Sequence, residues 1–578
     1  SSYRLLYFWF ISFMIYTFSS KNRGSKFLDI ELIIEDITEN EISVQLPAWR
    51  PGRYELANFA KNIQQFSVKT LNNKPLFFEK VTKDKWKIFT GKSKKIKIEY
   101  NYYANELNAG STWVDEDQIY VNPVNCCLYV EGRAQDSIKL FFNKTNHKQA
   151  ATSLQKIGDH FVAENFDELA DSPFILSDSL KDNSYIVNDT KFNIWFQGEC
   201  KPDWDKIIPD FKAFTKEQLK IFGSFPFDEY HFLNQILPYK GYHGVEHKKN
   251  TVISFGPGYS VFKGENYEEF LGVSSHELFH AWNVKSIRPA DMLPYDFTKE
   301  NYTKMGYLTE GITTYYGDLM LKRSGVFNTS QFLKQINKTL DRHFFNYGAQ
   351  NMSVADSSFD TWLDGYERGI PNRKSSIYTE GCLLALITDL QIRTKSKGKN
   401  SLDNVMRAFY HDYYQKGNGI TENNFIKEIN KAATSNLDDL WDNYFNGTKP
   451  LFPVLKKALK KFGIKSNQEE NPKYLAAHYG LYNQPGTSKA LFIAPKSPAF
   501  KAGINVGDEI ISINNISVEK DNINNWAEYF GDRLNIVVKK DGLLKKIELN
   551  KASKQFFTKV YASLPKGEKL KTYNWINK

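Results

Sequence analysis

The sequence predicts a multidomain α+β protein, and three observations predict it: the length, a long β-textured first part, and a change to helical spacing near residue 200. At 578 residues the chain exceeds what one hydrophobic core organises, which implies about two to four domains. Hydrophobic residues make up 41% and charged residues 25%, the balance of a folded globular chain rather than a disordered one. The net charge of +10 is spread along the chain without a basic block. It reads as a solvated surface, and no nucleic-acid partner is expected. Of the four cysteines, Cys126 and Cys127 are adjacent, and Cys200 and Cys382 stand far from them. That spacing offers neither a disulfide framework nor a C-x-x-C metal knuckle, so they read as buried thiols.

The elements follow in order. SSYRLLYFWFISFMIYTFSS has one arginine, an apolar run from Leu5 to Phe18, and then small polar residues. The run is shorter than the roughly 20 residues a spanning helix needs, so residues 1–20 are expected to be a signal peptide. That reading implies a periplasmic or secreted protein with no stable membrane span. Its alternatives are an uncleaved membrane anchor and a buried first strand. Residues 26–195 are expected to form an N-terminal β-sandwich, because FLDIELIIEDI, EISVQLPAW, KIKIEYNYYA, SIKLFFNKT and KFNIWFQG are strand-like runs parted by turn residues. From DWDKIIPDFKAFTKEQLKIFG onward helical spacing dominates, giving a mostly helical domain over 196–455. A lysine-rich stretch then leads to a small final domain over 472–552 and a C-terminal tail, 553–578.

The chemistry centres on SHELFH, residues 275–280. In a helix successive residues advance by about 100°, so His276 and His280 share a face and can reach one ion. Glu277 stands beside them, where it can contact a water activated by that ion. Ten histidines and 66 acids give at most ~0.02 chance matches to H-E-x-x-H in a chain of this length. A hydrolytic zinc needs a third protein ligand. Glu310, in GYLTEGITTYYGDLM, is a candidate; its other reading is an exposed carboxylate at a helix start, favoured there by the dipole.

SSHELFHAWNVKSIRP followed by LTEGITTYYGDL resembles the glycyl aminopeptidase family of zinc metallopeptidases, and PAWRPGRYELANFAKNI (residues 47–63) extends the likeness toward the start. The resemblance implies a thermolysin-like catalytic domain between an N-terminal β domain and a C-terminal PDZ domain. It further implies one catalytic Zn2+ held by His276, His280 and Glu310, with Glu277 as general base. Gly244-Val245-Glu246-His247 resembles the segment that related aminopeptidases lay along the start of the substrate. The likeness makes Glu246 the carboxylate that pairs with the free α-amino group, a charge-assisted bond that restricts cutting to the N-terminus. His243 and His247 are then lining or packing residues. Tyr378, in SIYTEG, matches the tyrosine that donates to the oxyanion in related enzymes. Glu380 stands where those enzymes carry lysine.

SPAFKAGINVGDEIISINN resembles the PDZ domains of exported proteases, with Lys496 and Asn515 where glycine is usual. In such a domain Tyr479, Gly480 and Leu481 are the expected carboxylate loop for a peptide C-terminus. The resulting expectation is a zinc aminopeptidase taking small N-terminal residues, Gly or Ala, from peptides. A catalytically inactive PDZ-bearing peptide binder and a zinc endopeptidase are the alternatives.

Overall fold

Alternating side chains decide the first layers. Phe27–Ile34 buries Leu28, Ile30, Leu32 and Ile34 and leaves the residues between them half-buried, the period-two pattern of a strand with one core face. It pairs antiparallel with Phe13–Ser19 and with Ile96–Tyr103 inside a seven-stranded sheet. A four-stranded sheet contributes Val44, Trp86 and Ile88 to the same core, and Phe66 of the larger sheet stacks on Trp86 with 4.7 Å between ring centroids. These two sheets form the expected sandwich. The computed structural model describes residues 13–520, 522–568 and 574–578. It divides into a first unit, running to residue 288 with 292–301, and a second of 289–291 with 302–578.

Two sequence expectations are corrected here. The leader assigned to residues 1–20 cannot include its last part. Phe13–Ser19 is a strand that buries Met14, Tyr16 and Phe18, pairs parallel with Ser137–Phe141 and antiparallel with Phe27–Ile34. Its buried residues recur at every second position, the pattern of a strand with one face on the core. Residues 1–12 lie outside the described residues. The boundary at 195 also moves, because Lys181–Val187 and Thr190–Gln197 belong to the next sheet. All four cysteines are free and buried, as their spacing implied. Among the described residues no helix is long and apolar enough to cross a membrane.

That next sheet has five strands in the order Lys181–Val187, Thr190–Gln197, Glu229–Ile236, Asn250–Gly256, Gly241–Glu246. Its central strands are parallel and buried on both faces, which is why they read as continuous rather than alternating apolar runs. Helices Trp204–Phe222 and Gly264–Phe279 cover one face, through contacts such as Phe211 on Phe232 and Phe255 on Phe270. On the other, Leu233, Val245 and Val252 meet Tyr120 and Ile175 of the β domain. Gly241–Glu246 is left at the edge.

The second unit is built around Ile377–Lys395, a helix apolar on all sides and therefore buried. Ser376 caps it, accepting from the Thr379 N–H. It crosses the turn Tyr307–Ile312 glycine against glycine. A Cβ added at Gly381 would lie 2.6 Å from the Gly311 Cα, and one at Gly311 would lie 2.3 Å from the Gly381 Cα. Neither backbone can yield without moving its helix. Gly381→Ala is therefore expected to cost about 1–3 kcal/mol, read as a lower Tm; an unchanged Tm would show that the crossing is looser than this.

In the small final domain, Gly503 and Gly507 take φ +78° and +89°. Lys496 and Asn515, which replace glycines of the resembled pattern, adopt φ 61° and 67°. The left-handed turns are thus kept at both positions by residues less suited to them. The described residues of the expected tail, 553–568 and 574–578, are packed against the rest of this unit. Lys559–Ser563 pairs with Lys465–Glu469, and the Asn337 side chain makes two hydrogen bonds with the Ala562 backbone, 3.1 and 2.7 Å. Trp575 is fully buried and donates through Nε1 to the Tyr315 hydroxyl at 2.8 Å. Arg393 donates to the carbonyls of Asn574 and Lys578 at 2.6 and 2.9 Å.

Candidate metal and peptide site

The helix Gly264–Phe279 carries the motif at its C-terminal end, and His280 caps it. The imidazoles of His276 and His280 have ring centroids 4.7 Å apart and planes at 81°, with Nε2 atoms 3.0 Å from each other. His280 Nδ1 lies 2.7 Å from the Asn283 carbonyl. A carbonyl can only accept, so Nδ1 carries the proton and Nε2 keeps its lone pair, as metal-ligating histidines require. Two nitrogens bound to one tetrahedral zinc at ~2.0–2.1 Å stand roughly 3.3 Å apart. The pair fits a divalent metal. One ligand atom from each of His276, Glu277 and His280 lies within 4.8 Å of the others.

Gly244 and Glu246 come to the same place from the edge strand. A Cβ on Gly244 would lie 2.3 Å from Glu277 Oε1, so the glycine is where the edge strand passes the proposed base. Glu246 is 5% exposed, and an oxygen of its carboxylate lies within 4.8 Å of a ring nitrogen of His280. The loop Pro51–Gly52–Arg53 closes over it: Gly52 has φ +88°, and a Cβ there would fall 2.6 Å from Glu246 Oε1. PAWRPGR thus comes from another domain to shape this carboxylate's surroundings.

The two neighbouring histidines are packing residues. The Ala109 N–H donates to His243 Nδ1 at 3.3 Å. Burial, together with the Arg50 and Arg53 charges, pushes the His243 pKa down to about 3, so the ring stays neutral. His247 Nδ1 meets Asp171 Oδ1 at 2.8 Å, and Lys285 Nζ lies 3.2 Å from the same oxygen. Burial alone would raise the Asp171 carboxyl, but Lys285 and the His247 hydrogen bond hold it well below the usual range. Burial also opposes the charge on Lys285, and Asp171 more than restores it. This buried group ties the segment after the metal motif to the β domain, as does Arg288, whose guanidinium lies 3.8 Å from the Tyr295 ring centroid. Tyr295 in turn packs edge-on against Trp49. In the sequence, Trp282-Asn283-Val284-Lys285 and Arg288 carry the family likeness without indicating a role. A lysine among apolar residues directly after a metal motif is the signal that a buried acid awaits it.

In the second unit, Glu310 is buried on the π-helical turn Tyr307–Ile312, not at an exposed helix start. Turns of this kind are frequent at functional sites. Tyr378 is half-buried in the first turn of Ile377–Lys395, the helix whose Gly381 abuts Gly311, next to Glu310. Glu380, the departure from the resembled lysine, is buried and bonded to His343 Nδ1, so its charge is met inside this unit. The expected carboxylate loop, Tyr479 to Leu481, lies where the helix Tyr474–Tyr479 passes into the strand Leu481–Asn483. Tyr479 and Leu481 are fully buried in the PDZ core, and Tyr479 donates to the Gly531 carbonyl at 2.5 Å. Gly480 is left-handed, with its carbonyl taken by the Ala494 N–H at 2.8 Å.

Comparison with known protein families matches residues 15–178 to the Peptidase M61 N-terminal domain, 269–384 to the M61 glycyl aminopeptidase and 493–540 to a PDZ domain. The first match begins inside the strand Phe13–Ser19; the second spans the motif, Glu310 and Tyr378, while Glu246 falls between matches. No curated protein matches the chain. Among solved structures, an aminopeptidase N family protein from Idiomarina loihiensis is 25% identical, with a TM-score of 0.90 over 97% of this chain and 99% of that one. An M1 zinc metallopeptidase from Deinococcus radiodurans is 11% identical over 76% and 94%, TM-score 0.46. Legionella pneumophila aminopeptidase A is 13% identical over 80% and 51%, TM-score 0.47. These last two likenesses are too low to bear on the fold. Residues 15–178 and 269–384 thus match the two M61 domains, that of the N-terminal region and that of the glycyl aminopeptidase, with a PDZ domain on their C-terminal side.

Proposed function

We propose that the protein is a zinc-dependent aminopeptidase that removes small residues, Gly or Ala, from the N-terminus of peptides. His276, His280 and Glu310 would hold the ion, which when bound supplies a Lewis acid that polarises the scissile carbonyl and acidifies water. Glu277 takes a proton from the attacking water and passes it to the leaving amine. The Tyr378 hydroxyl donates to the oxyanion that develops at the carbonyl, a donor typically worth about 3 kcal/mol in the transition state. Glu246 accepts from the substrate's α-ammonium group and sets the cut one residue from the end.

The observation that carries the exopeptidase reading is the Glu246 carboxylate, buried beside His280 under Gly52. A carboxylate so placed needs a cationic partner, and a free peptide N-terminus is one. The deciding assay compares Gly- and Ala-chromogenic amides with their N-acetylated forms, with and without a chelator. Cleavage of the free amines alone, lost on chelation and restored by Zn2+, is expected. Equal cleavage of acetylated substrates would make the enzyme an endopeptidase, and turnover insensitive to chelation would overturn the zinc mechanism.

A further inference from the structure

Tyr242 is 59% exposed on a strand whose other site-facing residues are the proposed amine anchor and the glycine beside the base. Side chains alternate along a strand, so Tyr242, Gly244 and Glu246 share one face. That face is fixed by Gly244, whose Cβ would point at Glu277. Tyr242 also meets its cross-strand partner Phe255 there, with ring centroids 6.0 Å apart. The hydrogen-bond pattern separates the same three residues. The His247 N–H donates to the Asn250 carbonyl at 3.0 Å, which makes His247 and Asn250 a hydrogen-bonded pair. Bonded pairs recur at every second residue of an antiparallel ladder. Val245 and His243 therefore turn their backbone groups inward to Val252 and Ser254. Glu246, Gly244 and Tyr242 turn theirs outward, along the sheet edge.

On the aminopeptidase reading the substrate backbone lies along this edge as an added antiparallel strand, and we propose that Tyr242 forms a subsite for an aromatic side chain on the substrate's third residue. The inference rests on the aminopeptidase reading. With its α-amine at Glu246, the peptide runs past Gly244 toward Tyr242, opposite to the direction of the strand. Residues facing the outward positions of the edge are two apart in the peptide. The first residue lies opposite Gly244 and the third opposite Tyr242, with side chains on the same face. The second residue points away from that face and would not sense Tyr242. The reading thus names a substrate class: peptides of at least three residues with a small first and an aromatic third residue.

The test compares kcat/KM for Ala-Ala-Phe-amide and Ala-Ala-Gly-amide, with Ala-Phe-Gly-amide as the register control. An aromatic pair of this kind favours the third-position phenylalanine by about three- to ten-fold. Tyr242→Ala is expected to bring that ratio to about one, and Tyr242→Phe to keep it. Because the readout is a ratio within one variant, general loss of fold or activity does not alter it. A parent enzyme indifferent to the third residue, a preference that moves to the second, or a ratio that persists in Tyr242→Ala would each overturn the subsite. Failure to cleave any free-amine substrate would instead fail the aminopeptidase reading and take the subsite with it.

Discussion

Glu277→Gln is expected to leave a folded protein that still binds zinc and hydrolyses Ala-amides about a hundred- to ten-thousand-fold more slowly. The substitution keeps the side chain's size and removes only its ability to take and return a proton. Glu277 is 4% exposed, on a helix held by apolar contacts and by Gln218, whose amide donates to the Ser275 carbonyl at 2.9 Å. The helix has no reason to move when one oxygen becomes an amide nitrogen. Metal content, a thermal melt and kcat/KM together separate the outcomes. Residual turnover within ten-fold of the parent, by about the same rule, would mean that another group serves as base. Loss of metal would mean that the carboxylate helps to hold the ion.

Gly244→Ala should come next in effect, and should act without unfolding the protein. The added methyl would meet Glu277 Oε1 at 2.3 Å, Cδ at 2.7 Å and Cγ at 2.9 Å. These are atoms of a flexible side chain, so the carboxylate can swing aside at small cost in stability. It then leaves the position from which it serves the reaction. A displacement on the order of 1 Å at a reacting group costs about 10²-fold, so kcat should fall by about that factor while Tm and zinc content hold. The contrast with Gly381→Ala is instructive, since there the clash is with backbone and the expected loss is in Tm. Parent-like kcat in Gly244→Ala would show that Glu277 has room beside the strand and that the glycine serves another purpose.

Much of the architecture was legible in the chain. Period-two alternation in residues 27–34 and the all-apolar helix at 377–395 each dictate one way of being buried, because only one geometry hides those side chains together. The leader reading overreached at its C-terminal end: FMIYTFS is as apolar as a signal core, yet the fold buries every second residue of it between two partner strands. Those partners lie at residues 30 and 140, and local sequence carries no trace of them.

The sequence by itself determined the chemistry available: two imidazoles one helical turn apart with a glutamate between them, because helical periodicity is local, and a second glutamate marked by the likeness of Gly244-Val245-Glu246-His247. Only the tertiary structure decided what those groups are set against. It brought Gly52 from the β domain onto Glu246, put Gly244 where Glu277 needs room, and paired Lys285 and His247 with Asp171. Close approach and burial depend on residues far apart in the chain, and the free energy that holds them together is a property of the folded core.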